Sequence, residues 1–183
     1  MHPVRKLVVM AVGLLVASVA ADASARFVDA GDTRVRFNAK GPAGLKIKGK
    51  GSTLHAEEKD GKLRVEVSLT NLETGMALRD KHLRKYLQTD KFPDATLVVA
   101  RSALKLPDDN QKVDTTGTGQ FTLHGVTKTV TFKNKAKRTG SDYHVSGKLE
   151  LNIGDYGIEK PCYLGVCVDP TVKIRLKFKL RDK

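Results

Sequence analysis

Apolar and polar side chains alternate with a period of two along much of the chain. The clearest run is at its end, where Val172, Ile174, Leu176, Phe178 and Leu180 interleave with Lys173, Arg175, Lys177 and Lys179. Successive side chains of an extended strand point to opposite faces, so this run predicts a strand with one apolar and one basic face. Leu63, Val65, Val67 and Leu69 repeat the alternation against Arg64, Glu66 and Ser68, and Tyr143, Val145, Leu149, Leu151 and Ile153 repeat it again. Weaker strands are predicted over 33–39, with Val35 and Phe37 inward, and over 45–49, 52–57, 96–106, 116–123, with Phe121 and Leu123 inward, and 128–136. Turn-forming pairs separate them, among them Asp60-Gly61, His124-Gly125 and Thr139-Gly140. One segment departs from this pattern: over 74–87, Met76, Leu83 and the Tyr86-Leu87 pair fall at helical spacing, with Asp80 and Arg84 four apart. Pro93 ends the excursion. The elements predict an all-β chain with one short helix, folded as an antiparallel sandwich or barrel.

The N-terminal segment has a different pattern. Residues 7–21 carry no charge and follow Arg5 and Lys6, but they fall short of the roughly 20 apolar residues a membrane-spanning helix needs. A small-residue stretch, 20–25, comes next, completing the pattern of a secretory signal peptide with cleavage after Ala23 or Ala25. Residues 1–25 are thus expected to be the signal and 26–183 a single domain, located in the periplasm of a double-membrane bacterium and secreted otherwise. The only cysteines are Cys162 and Cys167, and neither follows the apolar stretch, where a lipid anchor would need one. In an exported chain such a pair predicts a disulfide rather than a metal site.

With 33 basic against 20 acidic residues the chain carries +13. Charge of this size suits nucleic acid, but an exported protein is separated from it. The expected negative partners are anionic lipid head groups or envelope polymers, with no nucleic acid. The histidines are scattered singly, and no serine or cysteine nucleophile stands beside a candidate base. The expectation is a non-enzymatic protein without metal or cofactor.

Three blocks carry a resemblance. Gly75-Met76-Ala77-Leu78-Arg79-Asp80-Lys81-His82-Leu83 is followed by Asp90-Lys91-Phe92-Pro93-Asp94-Ala95-Thr96; a second block runs over 119–132 around His124-Gly125-Val126-Thr127-Lys128; a third runs from Asp155-Tyr156-Gly157-Ile158 to the last strand. In this order they resemble the YceI-like family of exported polyisoprenoid-binding proteins. The resemblance implies a lipocalin-like antiparallel β-barrel whose apolar interior holds the tail of a long isoprenoid lipid, such as a polyprenyl phosphate or a quinone. The loop 41–44 lacks the aromatic residues often found there in relatives, and the cysteine pair is not a general family feature.

The expected interior set is Val35, Phe37, Leu63, Val65, Val67, Leu69, Phe121, Leu123, Val145, Leu149, Leu151, Ile174, Leu176 and Phe178. These residue types serve equally as a filled core or as the lining of a tail cavity. Arg79 and His82 on the helix, with Lys46 and Lys48 before it, are the head-group candidates. The alternative to a lipid carrier is an interaction protein with a filled barrel, whose basic face docks anionic lipid or an acidic partner. The pattern leaves the oligomeric state open, a homodimer included.

Overall fold

The computed structural model of the chain describes residues 27–163 and 166–183, so the expected signal segment and both cleavage positions lie outside the described residues. The alternating segments form β1 (Phe27–Asp29), β2 (Arg34–Lys40), β3 (Lys46–Gly51), β4 (Leu54–Lys59) and β5 (Lys62–Ser68). After helix α1 (Ala77–Leu87) come β6 (Asp94–Ala100), β7 (Lys112–Leu123), β8 (Val126–Thr139) and β9 (Asp142–Asn152). The short pair β10 (Cys162–Tyr163) and β11 (Val166–Cys167) precedes the long β12 (Thr171–Asp182).

The main sheet is antiparallel, in the order β3-β2-β12-β9-β8-β7-β6-β5-β4, with β1 also paired to β12. Its two end strands, β3 and β4, are consecutive in the chain and separated only by Ser52 and Thr53. The sheet therefore curls until its ends meet. β3 hydrogen-bonds to β2, and β4, continuing the same bent segment, hydrogen-bonds to β5. β1 and β2 are likewise one bent segment on two lengths of β12. Backbone bonds close the remaining gap: Lys50 and Glu73 exchange N–H···O bonds of 2.8 Å, and Ser68 donates to the Thr53 carbonyl at 3.1 Å. Counted as continuous segments, about eight strands go round, a number at which a barrel either fills itself or encloses one small ligand.

The two ends of the barrel differ. At the helix end, Leu83, Tyr86 and Leu87 of α1 pack with Leu69, Leu72, Phe121, Leu123, Leu151, Tyr156 and Ile158. At the far end Phe27, with no exposed surface, sits among Leu63, Tyr143, Phe178 and Leu180. Its ring meets Tyr143 edge-on at 5.1 Å, and the Arg101 guanidinium lies 5.0 Å over it. Arg101 also stands 3.3 Å from the buried Glu58 carboxylate. This aromatic and ionic plug closes the far end.

Several boundaries differ from the sequence pattern: the strands expected over 116–123 and 128–136 extend over 112–123 and 126–139, the one over 52–57 lies at 54–59, and three further differences have a local cause. The helix begins at Ala77, three residues after the expected Thr74, because the Asp80 carboxylate accepts the Thr74 N–H at 2.7 Å and also its hydroxyl. Thr74 is thereby held in the loop before the first turn. The strand expected over 96–106 stops at Ala100, where Arg101–Ala103 makes one tight turn, and Leu104 and Leu106 pack against the far-end core. Ile153 leaves β9 to start a second such turn, Ile153–Tyr156, capped by the Asn152 side chain accepting from Gly154 N–H at 2.9 Å.

Candidate functional site

Strand parity brings the whole expected interior set to the concave side. Val35, Leu63, Val65, Leu69, Phe121, Leu123, Leu151 and Phe178 are buried in the cores at the two ends. Phe37, Val67, Val145, Leu149, Ile174 and Leu176 are only half-buried, although every strand that carries them is paired on both sides. Leu97, at the start of the apolar run 97–100 of β6, joins this belt. The half-buried belt therefore lies on the inner face between two packed ends.

Glycines lower the inner wall in a way the sequence pattern does not reveal. Gly49 faces Phe37 across the β2–β3 ladder, Gly117 faces Phe132 across β7–β8, and Gly147 faces Leu176 across β9–β12. A Cβ at these glycines would stand 2.1, 2.9 and 2.9 Å from the facing side chain. Each large side chain thus lies across its neighbour's bare backbone, flat on the wall, instead of projecting toward the barrel axis. A glycine at an inward position of an alternating strand is the available signal, but its meaning depends on which residue faces it.

Polar groups on the inner face are few. The Thr115 hydroxyl donates to Asn134 Oδ1 at 2.7 Å. His124, at the β7–β8 turn with φ of 52°, lies 3.1 Å through Nδ1 from the Tyr156 carbonyl, and its ring packs at a 60° tilt, 4.8 Å from Phe92. It ties the hairpin to the 153–156 turn, a partner 32 residues away that the sequence position does not indicate. Burial pushes the Tyr156 hydroxyl above its ordinary range. Thr74, through its hydroxyl and then its N–H, holds the Asp80 carboxyl below the usual range, with Arg84 and Arg79 adding to the effect.

The head-group candidates do not converge inside the barrel. Lys46 and Lys48 lie exposed on the outer face of β3, His82 is exposed on α1, and Arg79 Nη2 lies 3.0 Å from its neighbour Met76 Sδ. Cys162 and Cys167 are joined across the β10–β11 hairpin with Cα atoms 4.0 Å apart, pinning the loop between β9 and β12 at the helix end. Two depressions of ≈ 230 and ≈ 320 Å³ are lined at the β1–β4 seam and along β7–β9, and neither includes a residue of the central belt. Among the described residues no group of His, Cys, Asp and Glu has the arrangement of a metal site, and no helix is long and apolar enough to cross a membrane.

An inner wall of this kind can hold a long apolar chain by area and shape, with binding energy growing as more of the chain is covered. Comparison with known proteins agrees with the architecture. A UPF0312 protein of Shewanella denitrificans is 36% identical over 119 residues, 61% of this chain and 60% of the relative. Protein YceI of Escherichia coli O157:H7 is 34% identical over 108 residues, 54% of this chain and 52% of the relative. This chain thus spans only 52–60% of the length of these two curated relatives. A polyisoprenoid-binding domain from Saccharophagus degradans, implicated in plant cell wall breakdown, has the same fold, with a TM-score of 0.73 at 14% identity over 87% of this chain and 99% of that one. BcnA of Burkholderia cenocepacia aligns with a TM-score of 0.64 at 16% identity over 80% of this chain and 95% of its own. The YceI-like domain profile matches residues 27–180, almost all of the described barrel, and the chain belongs to the YceI-like family.

Proposed function

We propose that this protein is a non-enzymatic periplasmic carrier for a long-chain isoprenoid lipid, a polyprenyl phosphate or a quinone, whose tail lies along the central belt. The observation that carries this reading is the half-buried inner belt of Phe37, Val67, Leu97, Val145, Leu149, Ile174 and Leu176 between two packed ends. A self-filled barrel would bury those positions as fully as Val35 or Leu63. The polyisoprenoid-binding description of the Saccharophagus degradans domain supports the choice of ligand class.

Affinity does not require a catalytic or metal-binding group. At roughly 0.3 kcal/mol per heavy atom, a tail of about 40 atoms can contribute on the order of 12 kcal/mol. The plug of Phe27, Tyr143, Arg101 and Glu58 closes one end, so the tail enters from the helix end. There the polar group stays near α1 and its flanking loops, where Arg79 and His82 are the head-group candidates on the helix. The disulfide, which forms in oxidising compartments, supports export.

The test is organic extraction of the purified exported protein followed by mass spectrometry, with native mass spectrometry of the same sample. The expected result is one long-tailed isoprenoid per chain. A folded barrel that carries no amphiphile, and takes none up from isoprenoid-containing vesicles, would overturn the carrier reading.

A further inference from the structure

The outer wall of the barrel is electrostatically two-sided, and this follows from strand register. Arg36 on β2 stands directly opposite Lys50 of β3 on one side and Arg175 of β12 on the other. Arg175 in turn stands opposite Lys148 of β9, and Lys148 opposite Lys133 of β8. Five exposed cations thus form one row across five neighbouring strands, spanning roughly 19 Å at the usual strand spacing. Arg34 opposite Lys177 and Lys40 opposite Lys46 extend the pattern below and above it.

Like charges directly opposite each other destabilise a sheet, so nothing in folding accounts for this row. Only Lys50 has an acidic neighbour, Glu73 at 3.9 Å; Arg36, Arg175, Lys148 and Lys133 make no ion pair among the described residues. The outward acidic residues of these five strands are Asp142 and Glu150, and both are engaged, by Arg181 at 2.7 Å and Lys173 at 3.3 Å. On β4–β7, by contrast, outward basic and acidic residues are equal in number. The excess positive charge is therefore concentrated on one wall and not spread for solubility.

A second observation points to the same partner. Among the described residues the exposed large apolar side chains, Leu45, Met76, Leu78 and Val126, all belong to the helix end, on the β2–β3 loop, at the start of α1 and at the start of β8. Leu45 immediately precedes β3, whose Lys46, Lys48 and Lys50 begin the cationic wall. We propose that this apolar rim and the cationic wall descending from it dock the protein on the surface of an anionic lipid bilayer. The inference builds on the carrier reading, since it supplies the surface from which lipid is collected or to which it is delivered.

A bilayer fits better than a polymer for two reasons. The charge forms a broad array of rows rather than a groove that tracks a strand, and the outward positions of the five strands contain no Phe, Tyr or Trp on which bases could stack. Basic residues near an anionic surface attract additively, and exposed apolar side chains insert at the head-group boundary.

Co-sedimentation of the full exported chain with vesicles tests this. Vesicles of equimolar phosphatidylcholine and phosphatidylglycerol are expected to bind at least tenfold more tightly than phosphatidylcholine alone, with binding falling as salt rises. The variant Arg36→Gln/Lys133→Gln/Lys148→Gln/Arg175→Gln should lose at least tenfold in vesicle affinity while its Tm stays level or rises, because the repulsive row is relieved. Leu45→Ser/Leu78→Ser should weaken binding even at low salt. Equal binding to both vesicle types, wild-type affinity in the fourfold variant, or binding to soluble polyphosphate as tight as to vesicles and indifferent to the rim variant would overturn the docking inference. Lipid content by extraction is read in the same samples: lipid retained without vesicle binding removes the docking face alone, whereas vesicle binding by a lipid-free barrel removes the carrier reading alone.

Discussion

A methyl group on Gly49 would stand 2.1 Å from the Phe37 ring, the side chain that faces it across the β2–β3 ladder. The ring lies in the space where the side chain is missing, so the inner wall is smooth at that point. Gly49→Ala is expected to force the ring toward the barrel axis and to cost roughly 1–3 kcal/mol of stability, read by urea unfolding. Phe37→Leu in the same chain should recover part of that loss, making the pair non-additive. Additive losses would mean that the two residues do not press on each other.

Narrowing the belt from elsewhere should affect occupancy more than the fold. Val67→Trp and Val145→Trp each place a larger ring at a half-buried inward position. Bound lipid measured by native mass spectrometry should drop at least several-fold, with unfolding measured alongside because overpacking costs roughly 1–3 kcal/mol. Full lipid retention in both folded variants would place the tail away from this belt.

The far-end plug predicts an asymmetry between single and double replacement. Arg101 Nε is 3.3 Å from Glu58 Oε1, and the second carboxylate oxygen of Glu58 is buried without a hydrogen-bond partner. Arg101→Met leaves that carboxylate uncompensated and should destabilise by roughly 3–5 kcal/mol, while Arg101→Met/Glu58→Leu should recover much of it. Chemical denaturation of the three proteins checks this. A double variant as unstable as the single one would show that Arg101 acts through its contact with Phe27 instead.

The helix start should titrate. Asp80 has its pKa lowered in the folded protein, chiefly by the Thr74 hydroxyl and N–H. A carboxyl with a depressed folded pKa adds stability that is fully present above its unfolded pKa of about 3.9 and is lost as pH falls through the folded value. The Tm gap between wild type and Asp80→Asn is therefore expected to be constant near neutral pH and to close below about pH 4. A gap that persists unchanged in acid would assign the effect to shape rather than charge.

Opening the Cys162–Cys167 bridge should loosen one loop and leave the barrel folded. The closed loop is short, so Cys162→Ser/Cys167→Ser should cost about 2 kcal/mol or less on the chain-entropy estimate. Alkylation followed by intact-mass measurement, with and without reductant, checks the bridge itself. Two alkylated thiols in the unreduced protein would show that the cysteines are free.

What could be read from the chain alone was whatever depends on near neighbours. Alternation in Leu63–Leu69 and Val172–Leu180 determines which side chains share a face, because pleating is local, and the apolar residues of both runs do face inward. The Cys162–Cys167 pair, five residues apart, and the turn at His124-Gly125 were equally legible. Tertiary structure alone decided which distant residues oppose one another. That Gly49 faces Phe37, that Gly147 faces Leu176, and that Phe27 beside the expected cleavage site plugs the far end all depend on register across the closed sheet. The basic side chains of β3 and β12 lie far apart in the chain, and they became one wall because β2 lies between those strands. Parity repeats every two residues and is written into the chain. Register is settled only when strands far apart in sequence pack their inner faces together, and a shift of one residue would turn every side chain to the other side.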